Sequence, residues 1–245
     1  MPEEILISVV FPALNEEKLI KQTLSQFTPE IKSKYKIEVI VSDGGSSDAT
    51  VEISKQLAEV VVLPEPGHKQ NIAAGRNLGI KHSSGRYYYI MNADTLIKDI
   101  DLFFRTTLKE FDEHKIVAQT CKVKVFPNEQ KLSDILFHFL YNNYVRILNF
   151  IGLGMGRGEC HIFMKDMFLK VGGYNESMAA GEDFDLYRRI KKYGKIKSWG
   201  KLIVYESPRR YRKFGYARVF WDWTRNATSV MFKNKAMSRE WEQVR

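Results

Sequence analysis

Cysteine is nearly absent from this 245-residue chain: Cys121 and Cys160 make neither a disulfide framework nor a metal-ligand spacing, which points to a reducing compartment. Long apolar runs are missing too. No uncharged stretch approaches the roughly 20 residues of a spanning helix. The opening Met1-Pro-Glu-Glu has no basic segment before an apolar run, so no signal peptide is expected. No G-x-G-x-x-G follows the first apolar run and no G-x-x-x-x-G-K-[ST] occurs anywhere, which disfavours dinucleotide dehydrogenases and P-loop phosphotransferases. Internal repeats are absent. Acids are scarce at the C-terminal end. From Arg209 onward ten basic residues face three acids, so seven of the nine net positive charges lie there. The partner of that segment should be anionic: a membrane surface, a phosphorylated substrate or nucleic acid.

What is present reads as an ordinary globular chain, 44% hydrophobic and 27% charged. Ile5–Phe11 is a short β-branched run, a buried parallel strand stopped by Pro12. Leu19, Ile20, Leu24 and Phe27 then have helical spacing. A second strand, 36–42, ends in the glycine-rich turn Asp43-Gly-Gly-Ser-Ser-Asp48, and a helix follows to Leu57. A third strand spans 59–63, a helix 69–81, and Tyr87–Met91 is a fourth strand ending at Asn92-Ala-Asp94. Strands alternating with helices over short connections predict a doubly wound, mostly parallel α/β sheet with helices on both faces.

Right-handed crossovers bring the loops after the first, second and fourth strands to one sheet edge, where ligands of such sheets bind. Those loops carry Glu16 and Glu17, Asp43, and Asn92 with Asp94. Asn92 and Asp94 alone suit a helix cap and a turn. With the other acids, Asp94 becomes an anchor for a divalent cation that takes oxygen ligands. Further on, 131–150 reads as an amphipathic helix and 159–164 as a strand. Gly181-Glu-Asp-Phe-Asp185 opens a helix with three acids in its first turn.

Four segments, in order, resemble the inverting family 2 glycosyltransferases of the GT-A fold, among them the dolichyl-phosphate-sugar synthases. Pro12-Ala-Leu-Asn-Glu-Glu17 is similar to the opening nucleotide-binding loop, and Ser42-Asp43-Gly-Gly-Ser-Ser-Asp-Ala-Thr50 to the second motif. Asn92-Ala-Asp94 sits where the family has its DXD metal motif, and Gly181-Glu-Asp183 resembles the acidic pair holding its base. Ala74-Gly-Arg-Asn-Leu-Gly79 is a weaker fifth match. The resemblance implies a GDP-mannose or UDP-sugar donor, contacted by Pro12, Ala13, Leu14, Glu17, Asp43, Arg76, Asn92 and Ala93. It implies Mn²⁺ or Mg²⁺ on Asp94, with Asn92 direct or through water. It makes Asp183 the base that takes the acceptor's proton, with Glu182 holding the acceptor or orienting the loop. Two positions depart from the pattern. Asn92 replaces the first acid of DXD, and Leu96 stands where the synthases have a third polar ligand, so His161 or Glu159 is the candidate replacement.

Residues 214–232 combine Phe220, Trp221, Trp223 and Phe232 with basic neighbours, an amphipathic element suited to a membrane surface. Arg209, Arg210 and Arg212 suit a phosphate. The expected arrangement is a catalytic domain over 1–208 and a helical tail over 209–245, with membrane-surface helices, peripheral on the cytoplasmic side of the membrane. A lipid-linked or polyprenyl-phosphate acceptor fits it. The alternatives are a nucleotidyltransferase, which would carry a basic phosphate loop where Pro12–Glu17 is acidic, and a non-catalytic nucleotide-binding relative. A nucleic-acid binder is set aside for want of a motif.

Overall fold

The apolar runs of the first ninety residues become strands, β1, β2 and β4 buried on both faces and β3 half-buried. The structure, a computed structural model, describes residues 4–65, 70–113, 116–233, 235, 237 and 244. Strands β1 (Ile7–Ala13), β2 (Ile37–Asp43), β3 (Val60–Val62) and β4 (Tyr87–Met91) are mutually parallel. They alternate with α1 (Ile20–Leu24), α2 (Pro29–Tyr35), α3 (Thr50–Leu57) and α4 (Ile72–Lys81). Alternate residues serve opposite layers. Tyr87, Tyr89 and Met91 join a core with Phe103 and Phe104, whereas Tyr88 and Ile90 face Ala73, Ile80, Leu186 and Tyr187. Helix α4 lies close on the sheet at Gly79, where a Cβ would come within 2.4 Å of Val10 Cγ1.

The second half departs from the parallel pattern. After β4 come β5 (Thr95–Ile97), α5 (Ile100–Glu113), β6 (Ile116–Val125) and α6 (Leu132–Phe150). They are followed by β7 (Cys160–Met164), α7 (Lys165–Val171), α8 (Glu182–Lys191), β8 (Lys195–Glu206), α9 (Arg209–Phe214) and α10 (Tyr216–Lys233). The sheet order is β3-β2-β1-β4-β7-β6-β8-β5. Strand β7 runs antiparallel to both β4 and β6, β5 runs antiparallel to β8, and β6 and β8 are parallel. The result is one mixed sheet in which the β4–β5 connection, holding Asn92, Ala93 and Asp94, leaves the centre for the far edge.

Helices α6, α9 and α10 form a further layer over the cleft. Tyr141, Val145, Phe184 and Val230 share one apolar cluster, and Phe137, Tyr211 and Val219 share another. The segment after 208 therefore rests on α6 and α8 over its described length. Its exposed aromatics are Phe220, Trp221 and Phe232. Among the described residues, no helix is long and apolar enough to cross a membrane.

Candidate active site

The first two loops are tied into one rim by a residue with left-handed backbone. Asn15 adopts φ 54°, a conformation that asparagine tolerates better than most side chains. Its amide donates to Ser46 Oγ (2.8 Å), and its Oδ1 accepts from the Ser47 amide (2.9 Å). Asp43 shapes the same rim from within, accepting from the amides of Gly45 (2.8 Å) and Ser46 (2.7 Å) and from Ser46 Oγ. Beneath the rim lies a cleft of about 710 Å³, a size usual for small-molecule sites.

Pro12, Ala13 and Leu14 line one end of this cleft with Ser42 and Gly44. Asp43 itself lies below the lining, buried with its carboxylate bonded to its own loop. Glu16 lines the cleft, but Glu17 is exposed outside it and accepts from the Ala49 amide (3.2 Å) at the start of α3. The two adjacent acids thus divide the work: one faces the ligand space and the other braces α3.

Arg76 crosses the floor. It is 1% exposed and donates to Glu182 Oε1 (2.5 Å), the Gly158 carbonyl (2.9 Å) and, at 3.4 Å, Asn92 Oδ1. Burial opposes its charge, but the Glu182 carboxylate more than restores it. Asn92 is thereby turned toward Arg76. Gly181, in left-handed backbone at φ 79°, starts α8 and brings Glu182 and Asp183 into the cleft together. The two then diverge: Glu182 is spent on Arg76, whereas Asp183 accepts only from the Phe184 amide (2.8 Å) among the described hydrogen bonds. Burial and the neighbouring Glu182 push Asp183 up to about 7.

Asp94 faces Glu16 across an arginine. Burial, with Glu16 close by, pushes Asp94 up to about 6, against the pull of Arg209. The Arg209 guanidinium donates to both Glu16 oxygens (2.8 and 2.6 Å) and stands 3.1 Å from Asp94 Oδ2. Arg210 lines the same wall. Arg212 points elsewhere, gripping the buried Asp134 of α6 at 3.0 and 2.6 Å.

Three buried charges in the far wall escaped the sequence reading or were only touched by it. Arg157 holds Glu159 through two hydrogen bonds (3.1 and 2.8 Å) and lies 4.7 Å from the Tyr141 ring. Burial alone would raise Glu159, but Arg157 holds it at about 2. Glu206, buried and facing that carboxylate, is raised well above the ordinary range and accepts from Tyr211 Oη (2.7 Å). Strand β8 delivers Glu206, and its run Leu202-Ile-Val-Tyr205 was the legible signal. His161 is not part of the cleft lining. It is wholly buried, bonded through Nδ1 to Tyr174 Oη (2.6 Å) and set between Tyr174 and Tyr187. Among the described residues, no group of three His, Cys, Asp or Glu is arranged to hold a metal.

The cleft therefore joins a loop edge, three carboxylates with raised proton affinity (Asp94, Asp183 and Glu206) and the buried arginines Arg76 and Arg157. Comparison with known proteins places this arrangement. A family model described as Glycosyl transferase family 2 matches residues 8–172, about two thirds of the chain. The chain is 27% identical over 209 residues to the minor teichoic acid biosynthesis protein GgaB of Bacillus subtilis, covering 78% of this chain but 22% of that protein. It is 28% identical over 116 residues to a dolichyl N-acetyl-alpha-D-glucosaminyl phosphate 3-beta-D-2,3-diacetamido-2,3-dideoxy-beta-D-glucuronosyltransferase of Methanococcus voltae, covering 42% of this chain and 36% of that one. The chain thus spans between a fifth and two fifths of these relatives' lengths. Among solved structures, the mannosyltransferase PcManGT of Pyrobaculum calidifontis, in complex with GDP-Man and Mn²⁺, superposes with a TM-score of 0.66 at 19% identity. That match covers 90% of this chain and 66% of the mannosyltransferase, and it establishes a shared GT-A fold.

Proposed function

The chain belongs to glycosyl transferase family 2, and on that premise we propose that it moves a sugar from a nucleoside-diphosphate donor to a lipid-linked or polyprenyl-phosphate acceptor, with inversion. GDP-mannose and UDP-sugars are the donor candidates. The observation that carries the reading is the meeting of Asp94, Arg76 and Asp183 in one cleft whose opposite end is the Pro12–Leu14 edge. That edge and the rim held by Asp43 would receive the base and ribose. Asp94 would bind Mn²⁺ or Mg²⁺. The donor set fits such an ion, because one buried carboxylate suffices where diphosphate oxygens and water fill the other positions. When bound, the ion would neutralise charge growing on the leaving diphosphate.

Asp183 is placed to take the acceptor's proton. Its raised proton affinity suits a base working near neutral pH, and the Glu182–Arg76 pair fixes the helix end that carries it. Where the acceptor is an ionised phosphate, Asp183 positions it instead, with Arg210 as the nearby cation. For function we divide the chain into a catalytic domain over 1–208 and a tail over 209–245.

A lipid acceptor is supported by the outer face of α6. Leu132, Ile135, Leu136, Phe139, Leu140, Ile147 and Phe150 are exposed along it, Phe150 at 90% and Leu132 at 81%. At 100° per residue these positions fall on one stripe about 27 Å long. Soluble monomers rarely leave so large an apolar patch uncovered. Residues 135–158 contain no acid, and Lys131 and Arg146 are exposed beside the stripe. We place the chain peripherally on the cytoplasmic side of the membrane, with α6 and the exposed aromatics of α10 toward the lipid.

The deciding experiment is a calorimetric panel of UDP, GDP and their sugars with and without Mn²⁺, followed by transfer to dolichyl and undecaprenyl phosphate. We expect cation-dependent binding of one nucleotide, weakened by Asp94→Ala. Absence of binding to any of them would refute the reading.

A further inference from the structure

Glu16 and Asp94 belong to loops after different strands, and both carboxylates converge on the Arg209 guanidinium. Arg209 comes from the opposite end of the chain, yet its position is fixed by a ladder. Glu206 pairs with Thr95 in the β5–β8 pairing, so Arg209 starts three residues beyond the partner of Asp94's own neighbour. The backbone is thus held, while the guanidinium, 23% exposed, has a long flexible stem and room in the cleft.

Two buried carboxylates so close together need a cation. In this structure that cation is Arg209. The donor reading brings a second one to the same place, and both cannot bond the same Asp94 oxygen. A sugar diphosphate carries two negative charges and its divalent cation two positive ones, so the pair arrives neutral. The positive charge of Arg209 is therefore not expelled. It changes partner, from a carboxylate to a diphosphate oxygen, for which the planar guanidinium is equally suited.

We propose that Arg209 is the resident counter-ion of the donor site, bridging Glu16 and Asp94 in the ligand-free protein and passing to the donor's diphosphate when a divalent cation takes Asp94. This rests on the nucleoside-diphosphate reading above and reassigns Arg209 from acceptor to donor. It makes the C-terminal segment part of the donor site. It also gives two binding events opposite dependence on one side chain. Against the bare cation Arg209 is a competitor, and for the nucleotide it is a ligand.

The test compares the 245-residue chain with its Arg209→Gln and Arg209→Lys variants, by calorimetry and by the electron spin resonance of free Mn²⁺. Each protein is titrated with Mn²⁺ alone, and then with UDP or GDP at saturating Mn²⁺. Arg209→Gln should bind Mn²⁺ alone about tenfold more tightly and the nucleotide about tenfold more weakly, roughly one lost charge-assisted hydrogen bond. Arg209→Lys, which keeps the charge but lacks the planar fork that grips both Glu16 oxygens, should fall between in both titrations and controls for folding. Parallel changes in the two affinities, or an unchanged nucleotide affinity, would overturn the assignment. If the wild-type chain binds neither nucleotide, the donor reading itself has failed, and that is visible before any variant is compared.

Discussion

The two ends of the cleft solve the problem of buried polarity differently. At the β1–β2 end the loops satisfy themselves. Asn15 and Asp43 spend their side chains on neighbouring amides and hydroxyls, leaving backbone to face the ligand. At the far end charges are buried and set against one another, as Arg157 with Glu159, Arg76 with Glu182, and Arg209 with Glu16 and Asp94. The first arrangement makes a rigid edge suited to a flat ring. The second stores charge that a polar ligand can reorganise. On the proposed function, recognition and chemistry would be separated along a single groove.

The sharpest way to test that division is to remove Asp183. Asp183→Asn should lower transfer by about three orders of magnitude, the usual scale for a general base, while nucleotide affinity stays within about twofold by calorimetry. Equal loss of both would merge the two ends. Next in size is the Arg76–Glu182 pair. Glu182→Ala leaves a buried guanidinium without its carboxylate, and urea unfolding should report a loss of about 3–5 kcal/mol. The same change at Glu17, exposed on the outer side of the rim, should cost far less.

A comparable effect concerns pH. Asp183 has its proton affinity raised from the ordinary 3.8 to about 7 in the folded protein. Between those values the native state holds a proton that the unfolded chain has released, so this group's contribution to stability falls as pH rises and is lost above about 7. Thermal melts from pH 4 to 8 should show that decline in the wild type and a shallower one in Asp183→Asn. With Asp183 as base, kcat/KM should climb through the same region to a plateau. The smallest effect on the fold is expected from serine at Leu136, Phe139 and Phe150 together. Exposed positions of this kind shift stability by about 0.5 kcal/mol or less each, yet flotation with anionic liposomes should be lost. Undiminished flotation would move the lipid contact away from α6.

The sequence made the rigid end legible because its signals are local. The Asp43-Gly-Gly turn and Gly181 before three acids declare a turn and a helix start, whereas Pro12 does not end its strand: β1 runs through it to Ala13, and the two pair with Ser42 and Asp43. The charged end depends on pairings far apart in the chain, such as Thr95 with Glu206, and no periodicity reports them. That is why Glu17 is read from sequence as the nucleotide contact although Glu16 is the one that lines the cleft, and why Arg212 reads like Arg209 although it serves Asp134. Arg76 carries no local signal of its burial. Its burial follows from Glu182, 106 positions away. His161 is a candidate for the third ligand only through the departure at Leu96, and Tyr174 and Tyr187 enclose it.

Helix α6 has two sides with different tasks. Tyr141 lines the cleft, and Phe139 and Leu140, two and one positions earlier, are exposed on the outer stripe. A helix with its side chains is about 10–12 Å across. With the stripe on a bilayer, the headgroup layer and the acceptor wall would be separated by little more than that one helix. A lipid acceptor would then need to rise only a short way, its chains still in the membrane, and its local concentration would be set by the surface rather than by the solution. A short-chain, water-soluble acceptor of the same headgroup would lose that advantage while meeting the same wall.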